Sequence, residues 1–339
     1  MKDSLLGKTL DELKDIVIAL GLPAFTARQM ADWLYKKRVK DISEMTNLSI
    51  VNRQKISEQY EVGCSSPVQS VCSEDGTVKY LFETTENKYI ETVYIPDKDR
   101  ATLCVSSQIG CKMNCLFCMT GKQGFSGNLV PAEILNQIQS IPESGTLTNL
   151  VFMGMGEPMD NMEHVMKALT ILTADYGYAW SPKRITVSTI GAIPGLKYFL
   201  DKSNCHLAIS IHSPYHDERL SLMPIEKAYP IDEVLSLLEE YDFSHQRRLS
   251  FEYILFEGLN DDLQHARALA RKLSKLPCRV NLIYYHAIHG VALKSSNVNN
   301  AKAFQDYLNQ KNITCTIRRS RGEDVFAACG MLSSDNLAG

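Results

Sequence analysis

The chain has no hydrophobic run long enough to cross a bilayer: the longest, residues 16–25, is broken by Gly21 and Pro23. No membrane partner is expected. Nor does it open with the apolar stretch of a secretion leader. Met1-Lys2-Asp3-Ser4 is charged at once, so a cytoplasmic location is expected. Positive charge is not in excess either. The 36 Lys and Arg against 39 Asp and Glu give a net charge of −3, which argues against coating nucleic acid by bulk attraction. Internal repeats, low-complexity tracts and flexible linkers are missing too. What is present, 339 residues with 45% apolar and 22% charged side chains, suits one large domain and a smaller one.

Within this ordinary composition, three cysteines crowd into eight residues, Cys111-Lys112-Met113-Asn114-Cys115-Leu116-Phe117-Cys118. In a reducing compartment close cysteines are more often metal ligands or redox catalysts than disulfides. Three are one short of the four that usually hold a [4Fe–4S] cluster, which would leave one iron open to a substrate. A structural zinc site would want a fourth Cys or His at short range, and none follows Cys118 closely.

Hydrophobic periodicity divides the chain. Residues 1–60 read as a separate helical module. Thr9-Leu10-Asp11-Glu12 fits a capping box, a second helix spans 26–37, and a third, carrying Ile50, Val51 and Ile56, follows Asn47. Trp33, at helical spacing with Met30 and Leu34, is read as core. Residues 61–96 read as a β-meander with turns at Asp75-Gly76 and Glu86-Asn87-Lys88. Residues 97–322 alternate strands and helices, with strands at 102–106, 149–153, 184–189, 206–211, 249–255 and 279–284. Six βα units imply a parallel sheet or an open barrel. A further helix at 299–310, a strand at 314–317 and a tail from 323 to 339 complete the chain.

In a parallel βα fold, ligand groups come from the C-terminal ends of strands. After the second strand stands Met153-Gly154-Met155-Gly156-Glu157-Pro158, where glycines admit a ligand close to backbone and Glu157 can accept from an ammonium. Ser188, then Ser210-Ile211-His212, and His286 occupy the matching ends of later strands. Cys104 lies seven residues before the cluster motif on a strand leading into it. Cys329 lies in the small-residue tail Gly322-Glu323-Asp324-Val325-Phe326-Ala327-Ala328-Cys329-Gly330, suited to bending back over a site. Cys64, Cys72, Cys205, Cys278 and Cys315 are read as buried small apolar residues. Basic clusters occur at Lys36-Lys37-Arg38 with Lys40, at Lys183-Arg184, at Arg247-Arg248, and at Arg318, Arg319 and Arg321. Each alone suits a solvated surface; converging on one rim, several could grip a folded RNA.

The cysteine spacing with an aromatic before the last cysteine resembles the radical S-adenosylmethionine (SAM) superfamily, whose fold is a partial (β/α)6 barrel. Adding Cys104, MGMGEP, STIGAIPGL, LAISIH and RGEDVFAACG, nearly the whole chain resembles the RlmN/Cfr family of radical SAM rRNA methyltransferases. Pro158 after Gly156-Glu157 resembles the RlmN branch, which methylates C2 of an adenosine in large-subunit (23S) rRNA and the adenosine beside the anticodon of certain tRNAs.

The resemblance implies roles. Cys111, Cys115 and Cys118 would hold the cluster, and SAM would meet Gly156, Glu157, Ser188, Ser210, Ile211, His212 and His286. One SAM would methylate Cys329, and a radical from a second would activate that methyl group for addition to adenine. Glu91 would remove the ring proton, and Cys104 would release the adduct by a transient disulfide with Cys329. An electron donor such as flavodoxin or ferredoxin is implied, and a monomer is expected. His286 stands where family members often have Asn, and can still donate or accept. The residues leave open C8 methylation as in the Cfr branch, a radical SAM activase acting on protein, and a non-catalytic iron–sulfur or zinc RNA-binding module.

Overall fold

Ile185-Thr186-Val187-Ser188-Thr189 shows how the molecule is built. Ile185, Val187 and Thr189 are buried, while Thr186 and Ser188 are half-buried on the opposite face. Such a strand packs helices on one side and faces a cavity on the other. The computed structural model describes residues 2–245 and 247–333, and joins ten strands in one sheet. In chain order they are β1 (Gln69–Cys72), β2 (Val78–Glu83), β3 (Tyr89–Asp97), β4 (Arg100–Cys104), β5 (Asn149–Phe152), β6 (Ile185–Thr189), β7 (His206–Ser210), β8 (Leu249–Leu255), β9 (Cys278–Tyr284) and β10 (Thr314–Ile317).

Sheet order follows chain order from β1 to β10. The strands from β1 to β4 pair antiparallel, which is the expected meander extended by one hairpin. From β4 to β10 every pairing is parallel. Parallel neighbours need crossovers. The N-terminal module supplies α1 (Leu10–Ala19), α2 (Thr26–Ala31) and α3 (Ile50–Gln59). The crossovers are α4 (Pro131–Gln139), α5 (Met162–Thr173), α6 (Ile193–Lys202), α7 (Ile231–Glu239), α8 (Leu263–Leu273) and α9 (Val298–Gln310). The six expected βα units are therefore present. Residues of β3, β4 and β10 line one cavity, so the sheet curls into a barrel left open on one side.

The helical module is not an appendage. Leu5, Leu6, Leu13, Val17 and Leu34 belong to the same apolar cluster as Leu150 and Val187 of the sheet. The Arg28 Nη2 pairs with Asp175 at 2.8 Å, and Arg38 Nη1 donates to the Ser144 carbonyl at 2.9 Å. The capping box forms as read: Thr9 N–H donates to Glu12 at 2.7 Å and Glu12 N–H to Thr9 Oγ1 at 3.3 Å. The second helix differs from its expected course. It stays α-helical only through Ala31, and Asp32–Lys37 runs in wider turns that end at Arg38 with φ 56°. Leu34 and Tyr35 are both fully buried, while Trp33 remains half-buried under the Lys37 ammonium, 3.5 Å from the ring. In α3 only Ile56 reaches the core; Ile50 and Val51 are exposed. Cys72 is exposed as well, because β1 is the edge strand, and its reading as a buried residue is corrected.

Candidate active site

The cysteine loop leaves a two-stranded ribbon, Gln108–Gly110 against Phe125–Asn128. Gly110 has φ +74°, and a Cβ there would fall 1.8 Å from the Gly124 carbonyl oxygen, so only glycine makes this approach. Cys111 N–H donates to that same oxygen at 2.8 Å, and Leu116 N–H donates to the Leu222 carbonyl at 2.8 Å. The tail closes over the loop: Met119 N–H donates to the Gly330 carbonyl at 2.8 Å and Thr120 Oγ1 to the Leu332 carbonyl at 2.7 Å.

Cys111, Cys115 and Cys118 then line one cavity with Gly154, Gly156, Glu157, Ser188, Ser210, His212 and Cys329. Gly156 takes φ +97°, and a Cβ would meet Gln108 Cβ at 2.5 Å. The Glu157 carboxylate accepts from Met159 N–H at 3.1 Å and Ile190 N–H at 3.0 Å, which aims it into the cavity. Burial pushes its pKa up to about 7. His212, at φ +54° just past β7, is pushed down to about 3, chiefly by burial. Its Nδ1 accepts from Ile254 N–H at 3.0 Å, so the neutral ring keeps its proton on Nε2. Ile211 is different: its side chain is fully buried and its carbonyl takes Arg219 Nε at 3.2 Å.

A second cavity of about 440 Å³ lies inside the curled sheet, lined by Cys104, His286, Arg318 and Cys329 among others. Met153, Ile283 and Cys329 line both cavities, so the Cys329 side chain stands at their junction. The Arg318 guanidinium sits 3.4 Å from Glu252; burial raises the Cys329 thiol, and the Arg318 charge opposes that shift. The Cys104 thiol is pushed up to about 12 by burial first and by Cys329 second, and both residues line this cavity. His286 Nδ1 is 3.4 Å from Glu323 in the tail, and so faces the second cavity. Glu91 lines neither cavity directly. It is buried on β3, paired with Lys79 Nζ at 2.8 Å and accepting from Ser333 N–H of the tail at 2.9 Å. Desolvation raises its pKa, and Lys79 opposes the shift.

Comparison with known proteins decides the family. The radical SAM superfamily profile matches residues 105–270, and that of the ribosomal RNA large subunit methyltransferase N-terminal domain matches residues 4–62. The chain is 61% identical to a probable dual-specificity RNA methyltransferase RlmN of Parabacteroides distasonis, over 98% of this chain and 97% of that one. The chain belongs to the RlmN family. The dual-specificity RNA methyltransferase RlmN of Desulfotalea psychrophila is 41% identical over 96% of this chain and 93% of its own. Among solved structures, a radical SAM methyltransferase from Sphaerobacter thermophilus superposes with TM-score 0.92 at 38% identity, covering 98% of this chain and 99% of that one.

The loop fits the cluster that RlmN membership implies. Among the described residues no three His, Cys, Asp or Glu side chains stand close enough to hold one metal ion. A polynuclear cluster does not ask for that, since each cysteine takes its own iron. Burial pushes Cys111 up to about 12 and raises Cys115 and Cys118, so a metal is what makes buried thiols of this kind thiolates. Beside them, the Glu157 carboxylate, two serine hydroxyls and the His212 Nε2–H suit a ligand carrying an ammonium and hydroxyls, which SAM does.

Four positioning groups escaped the sequence reading. Gln108 orders the glycine turn, donating to Asp160 at 2.7 Å and accepting from Glu157 N–H at 2.9 Å. Arg219, fully buried, donates to the carbonyls of Ile190 at 2.7 Å and Ser210 at 3.2 Å and pairs with Glu226. Glu252 accepts from Asn281 at 2.8 Å beside Arg318. Lys79 holds Glu91. Arg219 and Glu252 lie in patterns that read as an amphipathic surface and a plain strand, so no local signal marked them. Arg318 did carry a signal, the basic run directly after the last strand.

Proposed function

We propose that this chain methylates C2 of an adenosine in large-subunit rRNA and of the adenosine beside the anticodon of certain tRNAs, with Cys329 as the methyl carrier. The observation that carries this reading is Cys329 at the junction of two cavities: the first has the donors for a cluster and SAM, and the second has the size for a nucleoside. The cluster and SAM supply a radical able to activate an S-bound methyl group. Cys329 holds that methyl group on its sulfur, and the tail hydrogen bonds to Met119 and Thr120 keep it at the junction. The resemblance names Glu91 for the ring proton; because it lines neither cavity, its contacts with Lys79 and Ser333 must rearrange for it to take that proton. Cys104 Sγ, as thiolate, then attacks Cys329 Sγ; the S–CH2 bond breaks with its electron pair on the methylene carbon, which takes a proton to become the methyl group, and an external dithiol reduces the disulfide. The enzyme acts as a cytoplasmic monomer served by a flavodoxin or ferredoxin; no helix among the described residues is long and apolar enough to cross a membrane.

The test is peptide mass spectrometry of Cys329 in protein from cells, beside mass analysis of nucleosides from RNA treated with the wild type and with Cys329→Ala. One added methyl on Cys329, and 2-methyladenosine made only by the wild type, are expected. An unmodified Cys329 in reconstituted, SAM-supplied enzyme sinks the mechanism, and 8-methyladenosine would reassign the product.

A further inference from the structure

The cations singled out at Lys183 and at Arg247-Arg248 have no part in the chemistry above. They meet at the N-terminal ends of the parallel strands, the end opposite the cysteine loop. A cavity of about 1020 Å³ there is lined by Lys183, Arg248, Arg267, Arg271, Arg279 and Lys311, and among the described residues by no carboxylate. In a chain with more acids than bases, such segregation is not what average composition produces. The ion pairs of the other described lysines and arginines lie elsewhere, and none involves these six.

The cavity is short of anions in other respects. Arg247, at its wall, is 9% exposed; its Nη2 donates to the Leu200 carbonyl at 3.0 Å, but its buried Nε has no hydrogen-bond acceptor. Burial, and then the nearby Arg279, Arg100 and Arg318, work against the charge of Arg248, and Glu252 offsets them only in part. His206 relieves none of this. It is pushed down to about 4 and its Nδ1 accepts from Arg248 N–H at 2.9 Å, so it is a neutral wall. Uncompensated like charges destabilise a compact state until an anion neutralises them.

Arg248 and Arg279 also line the inner cavity that reaches Cys329. The cations therefore form one continuous track, from the floor of the barrel to the proposed reaction centre. Seven residues separate Arg279 from His286, roughly 20 Å of extended chain, a reach suited to a polymer and beyond that of a free triphosphate. We propose that this cavity binds the phosphodiester backbone of the RNA substrate, several nucleotides from the base that enters the inner cavity. The inference rests on the RNA-methyltransferase reading.

The test replaces Arg267 and Arg271, both exposed and on α8. RNA affinity of the full-length Arg267→Gln/Arg271→Gln enzyme is measured against salt, with a single-stranded and a stem-loop RNA. Each lost phosphate contact lowers the slope of log K against log salt by about 0.7 to 0.9, so the double variant should lose about 1.5. Affinity should fall several-fold at low salt while the melting temperature stays with the wild type. Lys183→Gln/Lys311→Gln, on two other elements, should repeat the result. Unchanged RNA affinity and salt slope in both variants overturn the proposal. So does loss of inorganic tripolyphosphate binding alone, which assigns the cavity to a small anion. A wild type that binds RNA through these cations but methylates none would instead defeat the function and leave this site standing.

Discussion

Arg219→Ala should be among the most damaging substitutions outside the cysteines. Arg219 is fully inaccessible, pairs with the equally buried Glu226, and gives its remaining donors to the carbonyls of Ile190, Ser210 and Ile211. Truncating it strands the Glu226 charge, which keeps only Ile231 N–H and His216 as partners. Breaking a buried pair from one side costs about 3–5 kcal/mol. Unfolding entropy of roughly 2.1 cal/mol/K per residue over 339 residues is about 0.7 kcal/mol/K, so the melting temperature should fall by about 4–7 °C. Arg219→Met combined with Glu226→Gln removes both charges, keeps volume and an acceptor for Ile231, and should recover more than half of the loss. Calorimetric melting of wild type, Arg219→Met, Glu226→Gln and the double variant closes a double-mutant cycle, with Arg219→Ala melted beside them. A single variant within 1 °C or so of the wild type, or a double variant as poor as the sum of its parts, refutes the reasoning. Because the three carbonyls end β6 and β7, SAM affinity should fall in Arg219→Ala and return in part in the double variant.

Glu157 predicts a pH dependence. Its folded pKa of about 7 lies above the ordinary 4.5, so its contribution to stability is complete below the ordinary value and lost as pH rises through 7. Ligand-free protein should lose up to about 3 kcal/mol from this group between pH 5 and pH 8. Glu157→Gln should flatten that part of the melting profile, and an unchanged profile would count against the assignment. Gly156→Ala forces a side chain into φ +97° and onto Gln108, at a cost of about 1–3 kcal/mol, and should abolish SAM binding by equilibrium dialysis. Normal binding would show that the turn is not rigid. Cys104→Ala should leave RNA covalently attached to Cys329, visible as a nuclease-sensitive shift on a denaturing gel; free product at the wild-type rate would remove Cys104 from the proposed mechanism.

Most of the barrel was legible because period-two alternation and βα length are local properties. β6 shows its two faces in five residues, and every crossover helix from α4 to α9 fell where its apolar stripe lay. What failed was the part decided by neighbours. The second helix keeps its apolar side inward, with Leu34 and Tyr35 both buried, but its widened turns from Asp32 to Lys37 carry no signal in the residue pattern. Cys72 looked like any small apolar residue, and only the strand order put it on an edge.

At the site the division is the same, and it follows from how each residue works. The candidate ligand groups sit in short motifs, the cysteine loop and Gly154-Met155-Gly156-Glu157, which are visible in the sequence and which the structure brings to one cavity. The residues that hold those motifs in place act across long sequence distances: Lys79 on Glu91, Arg219 on Ser210 and Ile190, Arg318 on Glu252. Their partners are chosen by the sheet, so a charged residue bound for the interior is written like one bound for the surface. The cavity at the floor of the barrel follows the same rule, since Lys183, Arg248, Arg267, Arg279 and Lys311 come from five separate segments. Each was unremarkable alone. Only the parallel register that aligns the N-terminal ends of β6 to β10 makes a single cationic surface of them, and the same register puts its innermost members on the path to Cys329.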